Sequence, residues 1–493
     1  MRDAQLRAES GPPSPETGTS FVFSPVGGKQ RGADDPVLSS LTDSRWGESA
    51  PKGDERGGSC ACAAIPVIYT VAMKMKPTTR LTLIAFLLFM ARGMSGPISS
   101  VAWRSLGASY LVIGLLGTAS SLTAIVANPL WGKASDHFGQ RRVFLVGGVG
   151  VLALATGAVA LVPGYAWLFP VLIVTSMAQA AYGTASLALM GDWLEHEAAG
   201  RSVSGSRGTA GRRMGTYRGL ASLGFGLMAF FSGAIADRLS LRAPFVIGAL
   251  FLAVAFVLAL GLREPASEGD VEDEEEPRPA VNAGLASSSE IASEGGSGLP
   301  LAPLMVAALL WSLSFGAVYS VWGNYMVEGI GYSSTQMTRL WSIASLSEFP
   351  LMILAGWLSD RVGRLPMLAV GFVSWALVFV GYLVAPTMPW IVMIQLLRGF
   401  AFSAHTATAL TYAAEVRKRS ERGRISGFYG TAGGLGSILG SSFGGATAEF
   451  IGFRALIGAG AGVIFGGALY LGGAAIRHDQ TQRRASSPSR GST

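Results

Sequence analysis

Four ionisable residues lie inside long apolar stretches of this chain, where charged side chains are rare because their burial is costly. Arg92 is in the first apolar stretch, Glu348 in the eighth, and Arg398 and His405 in the tenth. A guanidinium can bind a carboxylate through two parallel hydrogen bonds, and glutamate or histidine can change charge near neutral pH when desolvated or paired. These residue types indicate anion binding and proton transfer in an apolar environment.

The spacing within the tenth stretch places polar residues on one side of a helix. Arg398 and His405 are two helical turns apart, and Gln395 and Phe402 fall on the same stripe. Other interpretations stay open: Glu348 and Arg398 could form a buried structural ion pair, and His405 could be a hydrogen-bonded packing residue. Arg92 could bond a carbonyl of a neighbouring helix.

Composition indicates a membrane protein. Of 493 residues half are apolar and 14% are charged, and the mean hydropathy is +0.42, whereas soluble domains carry about a quarter charged residues. The net charge is +7, but the basic residues form short clusters between apolar runs, which is not a nucleic-acid-binding face. Cys60 and Cys62 are the only cysteines and lie in a polar leader, so we expect no disulfide framework and no metal site.

Twelve apolar runs are long enough to cross a bilayer as helices, in two sets of six. They predict an all-α polytopic membrane protein with five parts: a disordered leader at 1–79 (or a misassigned start before Met73), a six-helix bundle at 80–262, an acidic disordered linker at 263–299, a second bundle at 300–477 and a polar tail at 478–493. The more basic set of loops predicts that both termini are cytoplasmic. We number the runs as spans 1 to 12, at about 80–101, 111–131, 142–162, 165–190, 215–236 and 243–262 in the first set and about 301–323, 337–358, 365–385, 388–412, 424–447 and 453–476 in the second.

Short polar motifs repeat between the two sets of spans. "GKASDHFGQRR" begins at Gly132 and "GWLSDRVGR" at Gly356, with aspartate and glycine at matching positions. A second correspondence relates span 5 to span 11, where Asp237 matches Glu449 and Gly233 matches Gly445 at one common separation. Duplicated six-helix halves are typical of transporters that work by alternating access.

The motif Gly-x3-Asp-x2-Gly-x-Arg-Arg between spans 2 and 3, echoed between spans 8 and 9, resembles the loop signature of the major facilitator superfamily over residues 80–477. "SLSEFPLMILAGWLSDRVGR" in span 8 and "IQLLRGFAFSAHTATALTYAAE" in span 10 resemble the branch with phenylpropionate-type permeases and nucleoside–proton symporters, and more remotely lactose permease. His137 stands where the family usually has arginine. The span-5 Gly-Pro signature of many drug–proton antiporters is absent.

The resemblance implies two pseudo-symmetric six-helix bundles and a conformational latch at the motif loops that favours the outward-facing state. In the family the first aspartate packs against the start of span 11, with arginines and an acid at the end of span 4 completing the latch. The alternative role for these residues is topology determination and turn formation. The matching latch residues are Gly132, Asp136, Gly139, Arg141, Arg142, Asp192, Gly356, Asp360, Gly363, Arg364 and Glu415.

In the family, spans 1, 4, 7 and 10 line a central cavity. The resemblance therefore implies that Arg92, Gln395, Arg398 and Phe402 bind substrate, and we expect Glu348 and His405 to carry protons. Two arginines against one glutamate make the cavity net positive, which favours an anion. Further residues could line the path or simply pack there: Tyr182, Tyr319, Trp322 and Asn324.

The sequence thus predicts a proton-coupled secondary transporter of a small organic solute, anionic or aromatic, in the inner membrane. We expect a monomer with no enzyme activity, no cofactor and no nucleic-acid partner; its partners are substrate, protons and the lipid bilayer. "GSSFG" at Gly440 lies inside span 11, with no strand before it, and predicts close helix packing instead of a hydrolase site. Two alternatives remain: a proton-driven exporter of drugs or sugars, and a non-transporting receptor or scaffold.

Overall fold

The computed structural model describes residues 75–199, 207–264, 299–384, 387–416 and 422–486, and these ranges contain helices and no strands. Most of the predicted leader and acidic linker lies outside the described residues. The predicted all-α fold is confirmed.

The first six spans form one bundle of helices. Span 1 is broken into two helices that meet at a bend of 44°, because Pro97 has no N–H to continue the helix through the break. The helices of spans 1 to 6 are Pro77–Ser95 with Ser99–Ser105, Tyr110–Phe138, Arg141–Val159, Leu168–Ala199, Arg207–Arg238 and Ala243–Leu260.

The last six spans form a second bundle. After its long helix, span 7 continues through the short helix Trp322–Asn324 and a π-helical turn at Tyr325–Gly329. Span 12 runs ten residues beyond the predicted span end at 476, into sequence that we predicted to be a tail, with an Asp479–Arg483 pair one turn apart. The long helices of spans 7 to 12 are Leu301–Tyr319, Ser334–Val362, Arg364–Val384, Met388–Glu415, Arg422–Phe450 and Phe453–Ser486.

Among the described residues nine helices are long and apolar enough to cross a membrane, and the bent pair of span 1 makes ten. Spans 10 and 11 have similar lengths but are less apolar. Span 10 carries Gln395, Arg398 and His405, and span 11 is rich in glycine and serine. The two predicted spans that fall short on apolarity are therefore those with polar or small residues in their middle.

The duplication is visible in the turns that begin spans 2 and 8. Gly107 and Gly331 have φ of 88° and 92°, a backbone region that favours glycine. Two residues later, Ser109 and Ser333 cap the helices: the Ser109 hydroxyl accepts from Val112 N at 3.3 Å, and Ser333 forms a capping box. Equivalent sequence in the two halves gives equivalent turns.

The bundles meet along two matching helix pairs, span 2 with span 11 and span 5 with span 8. Spans 2 and 8 run between two faces of the molecule. We call the end with Asp136 and Asp360 the loop-motif face, and the end with Tyr110 and Thr335 the opposite face. Within the second bundle, spans 8 and 9 both pack against span 10, and this packing positions the polar stripe.

Candidate functional site

Arg398 is buried against two aromatic rings of neighbouring spans. Its guanidinium carbon is 4.7 Å from the ring centre of Trp341 in span 8 and 4.9 Å from that of Tyr319 in span 7, and the residue is 3% exposed. Aromatic rings at such distances attract the cation. Arg398 Nη1 donates a long bond of 3.4 Å to Gln395 Oε1, while Arg398 Nε has no hydrogen-bond partner among the described residues.

Gln395 connects Arg398 to two buried tyrosines. The Tyr382 hydroxyl donates to Gln395 Oε1 at 3.4 Å, and the Tyr319 and Tyr382 hydroxyls are 3.4 Å apart. Gln395 is fully buried, and its Nε2 has no partner within the described chain. Because buried polar groups are nearly always bonded, two unpaired donors one turn apart on span 10, Gln395 Nε2 and Arg398 Nε, form a site suited to an acceptor such as a carboxylate.

His405 and Phe402 extend the stripe toward span 7. The His405 imidazole stacks on the Trp311 indole with ring centres 3.9 Å apart and planes at 5°, and the Phe402 ring lies 6.4 Å from Trp311. His405 is 3% exposed, and its Nδ1 has no partner among the residues described. The helix therefore presents Gln395, Arg398, Phe402 and His405 to one environment, lined by aromatic rings.

Glu348 lies on span 8, which packs directly against span 10. Its backbone carbonyl accepts from the Ser403 hydroxyl of span 10 at 3.1 Å. Its carboxylate makes no ion pair within 4.0 Å with Arg398 or another described residue. Pro350 follows two positions later inside the helix and removes one backbone hydrogen bond. Glu348 is thus half-buried beside the stripe without an ion pair.

Arg92 lies in the other bundle, near the end of the first helix of span 1. Its side chain is exposed, with the guanidinium carbon 5.8 Å from the Phe89 ring centre. The described contacts do not join Arg92 to the span-10 stripe. Of the predicted path residues, Tyr182 is buried in span 4, and Asn324 in span 7 donates to the Ser100 carbonyl at 3.3 Å.

The first loop motif forms ion pairs within its own bundle. Arg141 pairs with Asp192 at the end of span 4, and its Nη2 lies 3.7 Å from Asp136 Oδ1. Arg142 points elsewhere: its Nη2 donates to the Leu260 carbonyl at 2.9 Å, and its backbone N–H donates to Glu264 at 2.7 Å. The structure therefore groups Asp136, Arg141 and Asp192 and places Arg142 at the end of span 6.

The second loop motif repeats this arrangement. Arg364 bonds both carboxylate oxygens of Glu415, at 2.9 and 2.7 Å, and its Nη1 bonds Asp360 at 2.5 Å. The glycines that end spans 2 and 8, Gly139 and Gly363, have φ of 62° and 99°. Residues with a side chain rarely adopt positive φ. Gly132 and Gly356 lie one turn before the aspartates, Gly132 buried and Gly356 half-buried.

Hydrogen bonds between the two bundles include a cluster at the opposite face that the sequence analysis did not assign. Glu328 accepts from the Tyr110 hydroxyl at 2.7 Å, from Arg104 at 3.4 Å and from Asn324 at 3.0 Å. Tyr110 N–H also donates to Glu449 at 2.7 Å. The repeat that relates Asp237 to Glu449 and Gly233 to Gly445 pointed to this face. Asn324 was named only as a possible path residue, and no motif marks Glu328.

Comparison with known proteins gives consistent matches. Residues 78–475 match the MFS_1 like family. The multidrug resistance protein MdtG of Salmonella arizonae is 24% identical over 367 residues, which cover 72% of this chain and 83% of that protein. The crystal structure of nucleoside transporter NupG superposes with a TM-score of 0.63 at 17% identity, over 81% of this chain and 99% of that one. The human organic anion transporter MFSD10 (TETRAN) gives 0.55 at 18%, over 80% and 98%.

Proposed function

Because the chain belongs to the MFS_1 like family and is a multi-pass membrane transporter, not an enzyme, we propose that it moves a small organic anion by proton-coupled alternating access. We place the site between spans 7, 8 and 10, at Arg398. The proposal includes a position in the cytoplasmic membrane with the loop-motif face and both termini inside, and function as a monomer.

The observation that carries the proposal is the setting of Arg398. A buried guanidinium in contact with two aromatic rings is poorly hydrated. Its Nε and the Nε2 of Gln395, one helical turn away, are donors without a partner among the described residues, which suits a carboxylate. The surrounding rings of Trp311, Tyr319 and Trp341 favour an apolar or aromatic body on the same substrate. An aromatic carboxylate therefore fits better than a sugar.

Proton coupling is assigned first to Glu348. A carboxylate without an ion pair, half-buried on the helix packed against span 10, can exchange a proton with the cavity. When Glu348 is protonated and an anion is bound at Arg398, the charges of the site cancel. Binding of the proton alone or of the anion alone would leave one unit of net charge. A site without net charge can be closed off from one face and opened to the other at a lower desolvation cost. His405 is the second candidate proton carrier, because its unpartnered Nδ1 lies on the same stripe.

Efflux of drugs is the second candidate, and it rests on the similarity to the multidrug resistance protein MdtG. A drug site rich in aromatic rings would resemble the surroundings of Trp311 and Trp341. However, a buried arginine repels the cationic drugs that such a site would otherwise attract. Arg398 therefore favours the anion.

Ligand-induced thermal stabilisation of the purified protein tests the proposal. A bound ligand raises stability by mass action, about 2.7 kcal/mol at a hundred times its dissociation constant. We expect stabilisation by aromatic carboxylates in the native protein and its loss in Arg398→Lys, since lysine cannot present the planar fork. Arg483→Lys on the exposed end of span 12 is the matched control. Stabilisation only by cationic drugs would favour the efflux alternative.

A further inference from the structure

Glu449, near the end of span 11, bonds the first turn of a helix in the other bundle. Its Oε2 accepts from the backbone N–H of Tyr110, the first residue of the span-2 helix, at 2.7 Å. One turn earlier, Gly445 allows the helices to touch: a Cβ there would lie 2.5 Å from the Tyr110 carbonyl oxygen and 2.8 Å from Gly114 Cα. The close crossing brings the carboxylate to the helix start.

Asp237, near the end of span 5, makes the matching contact in the opposite direction. Its Oδ2 accepts from Thr335 N–H at 2.9 Å and from the Thr335 hydroxyl at 2.6 Å, in the first turn of span 8. Gly233 takes the place of Gly445, since a Cβ there would lie 2.1 Å from the Ser334 carbonyl oxygen. The four residues of the repeat, two glycines and two acids, thus make the same pair of contacts.

Both contacts have the same physical basis. The first N–H groups of a helix lack partners inside the helix and carry partial positive charge, so a carboxylate there is stabilised by bonding and by the helix dipole. Each bond joins one bundle to the other, and neither acid pairs with a basic side chain at 4.0 Å or less in the described chain. The two carboxylates therefore stabilise the contact between the bundles.

We propose that Asp237 and Glu449 are paired clasps that hold the opposite face closed and release once in every transport cycle. The proposal rests on the alternating access proposed above. Spans 2 and 11 carry Glu449 at one face and Asp136 at the other, so the same helix pair has a carboxylate available at each end. Opening at the opposite face requires the release of both clasps, so their removal shifts the population toward opening at that face.

Site-directed labelling of a cysteine between the bundles tests the clasps. The reporter is Ser442→Cys, whose native hydroxyl lies 2.7 Å from the Thr118 hydroxyl of the other bundle, in full-length protein with Cys60 and Cys62 replaced by serine. A membrane-impermeant maleimide is applied to each face of oriented vesicles without substrate. We expect Asp237→Asn with Glu449→Gln to raise labelling from the opposite face about tenfold, since the amides keep an acceptor oxygen but lose the negative charge that strengthens these bonds.

The controls separate gating from misfolding and from the proposed function. Asp479→Asn removes an exposed carboxylate of span 12 and should leave labelling unchanged. Each single clasp variant should give an intermediate increase in labelling from the opposite face. If the double variant is not monodisperse, the single variants are used for the test. Unchanged or reduced labelling from the opposite face in folded variants would overturn the clasps. Since no substrate is present, that result would leave the anion proposal intact, and a failure of anion binding would leave the clasps intact.

Discussion

The imidazole of His405 lies flat on the indole of Trp311, with ring centres 3.9 Å apart and planes at 5°. The pair joins span 10 to span 7 beside the Arg398 stripe, and both residues are buried. A neutral imidazole gains stacking there, and an imidazolium would gain a cation–π interaction. The stack therefore fixes the orientation of the imidazole beside the stripe.

Substitution of His405 separates packing from proton transfer. His405→Phe keeps an aromatic ring against Trp311, so we expect a folded protein that still binds carboxylate. Proton-driven accumulation should fall, because phenylalanine cannot hold a proton. Uptake under an imposed pH gradient measures the effect. Accumulation equal to that of the native protein would make His405 a packing residue only.

Trp341 is expected to set affinity through Arg398. Trp341→Leu removes one of the two rings that hold the guanidinium, and we expect carboxylate affinity to fall by about tenfold, on the scale of a partly buried cation–π contact. Equilibrium binding of labelled carboxylate measures the change. The control is Trp357→Leu, which removes an exposed ring under Arg361 on the same span and should leave affinity unchanged.

Much of the fold could be predicted from sequence, because long apolar runs and repeated short polar motifs are local signals. The break in span 1 and the length of span 12 were missed. The helix of span 1 breaks at Pro97, within an otherwise continuous apolar run. The helix of span 12 continues into polar sequence that contains the Asp479–Arg483 ion pair. The stripe on span 10 was predicted from its helical spacing, and the structure places its residues together.

Partners on other spans could not be predicted. Nothing local in the sequence shows that Arg398 meets Trp341 and Tyr319, because these contacts depend on how spans 7, 8 and 10 cross. The same holds at the opposite face, where the sequence repeat identified Asp237 and Glu449 but not the helix starts that they bond. The latch and substrate roles of the individual residues remain predictions.

Arg364 is expected to matter for stability through its bond to Glu415. The pair is bidentate at 2.9 and 2.7 Å and mostly shielded from solvent. Glu415→Gln should therefore lower the free energy of unfolding by about 1–3 kcal/mol. Thermal unfolding in detergent measures the loss, and Asp479→Asn, at an exposed ion pair, should cost at most about 0.5 kcal/mol. Equal effects of the two substitutions would contradict a structural role for the Arg364–Glu415 pair.

Gly445 is expected to tolerate no side chain. Gly445→Ala forces a Cβ against the Tyr110 carbonyl and Gly114, and overpacking of this kind costs about 1–3 kcal/mol. Gly458→Ala in span 12 is the matched control, because a Cβ there meets nothing within 4 Å. Thermal unfolding should show a lower midpoint for Gly445→Ala and an unchanged or higher midpoint for Gly458→Ala. The opposite order would contradict the close crossing of spans 2 and 11.

Uptake of a stabilising carboxylate into proteoliposomes, with and without an imposed pH gradient, tests the central claim most directly. We predict that the native protein accumulates the anion when the substrate side is acidic. Glu348→Gln should exchange the anion across the membrane at equilibrium but should not accumulate it, because glutamine cannot release a proton. Gradient-independent uptake by the native protein, or uphill accumulation by Glu348→Gln, would contradict proton-coupled transport through this site.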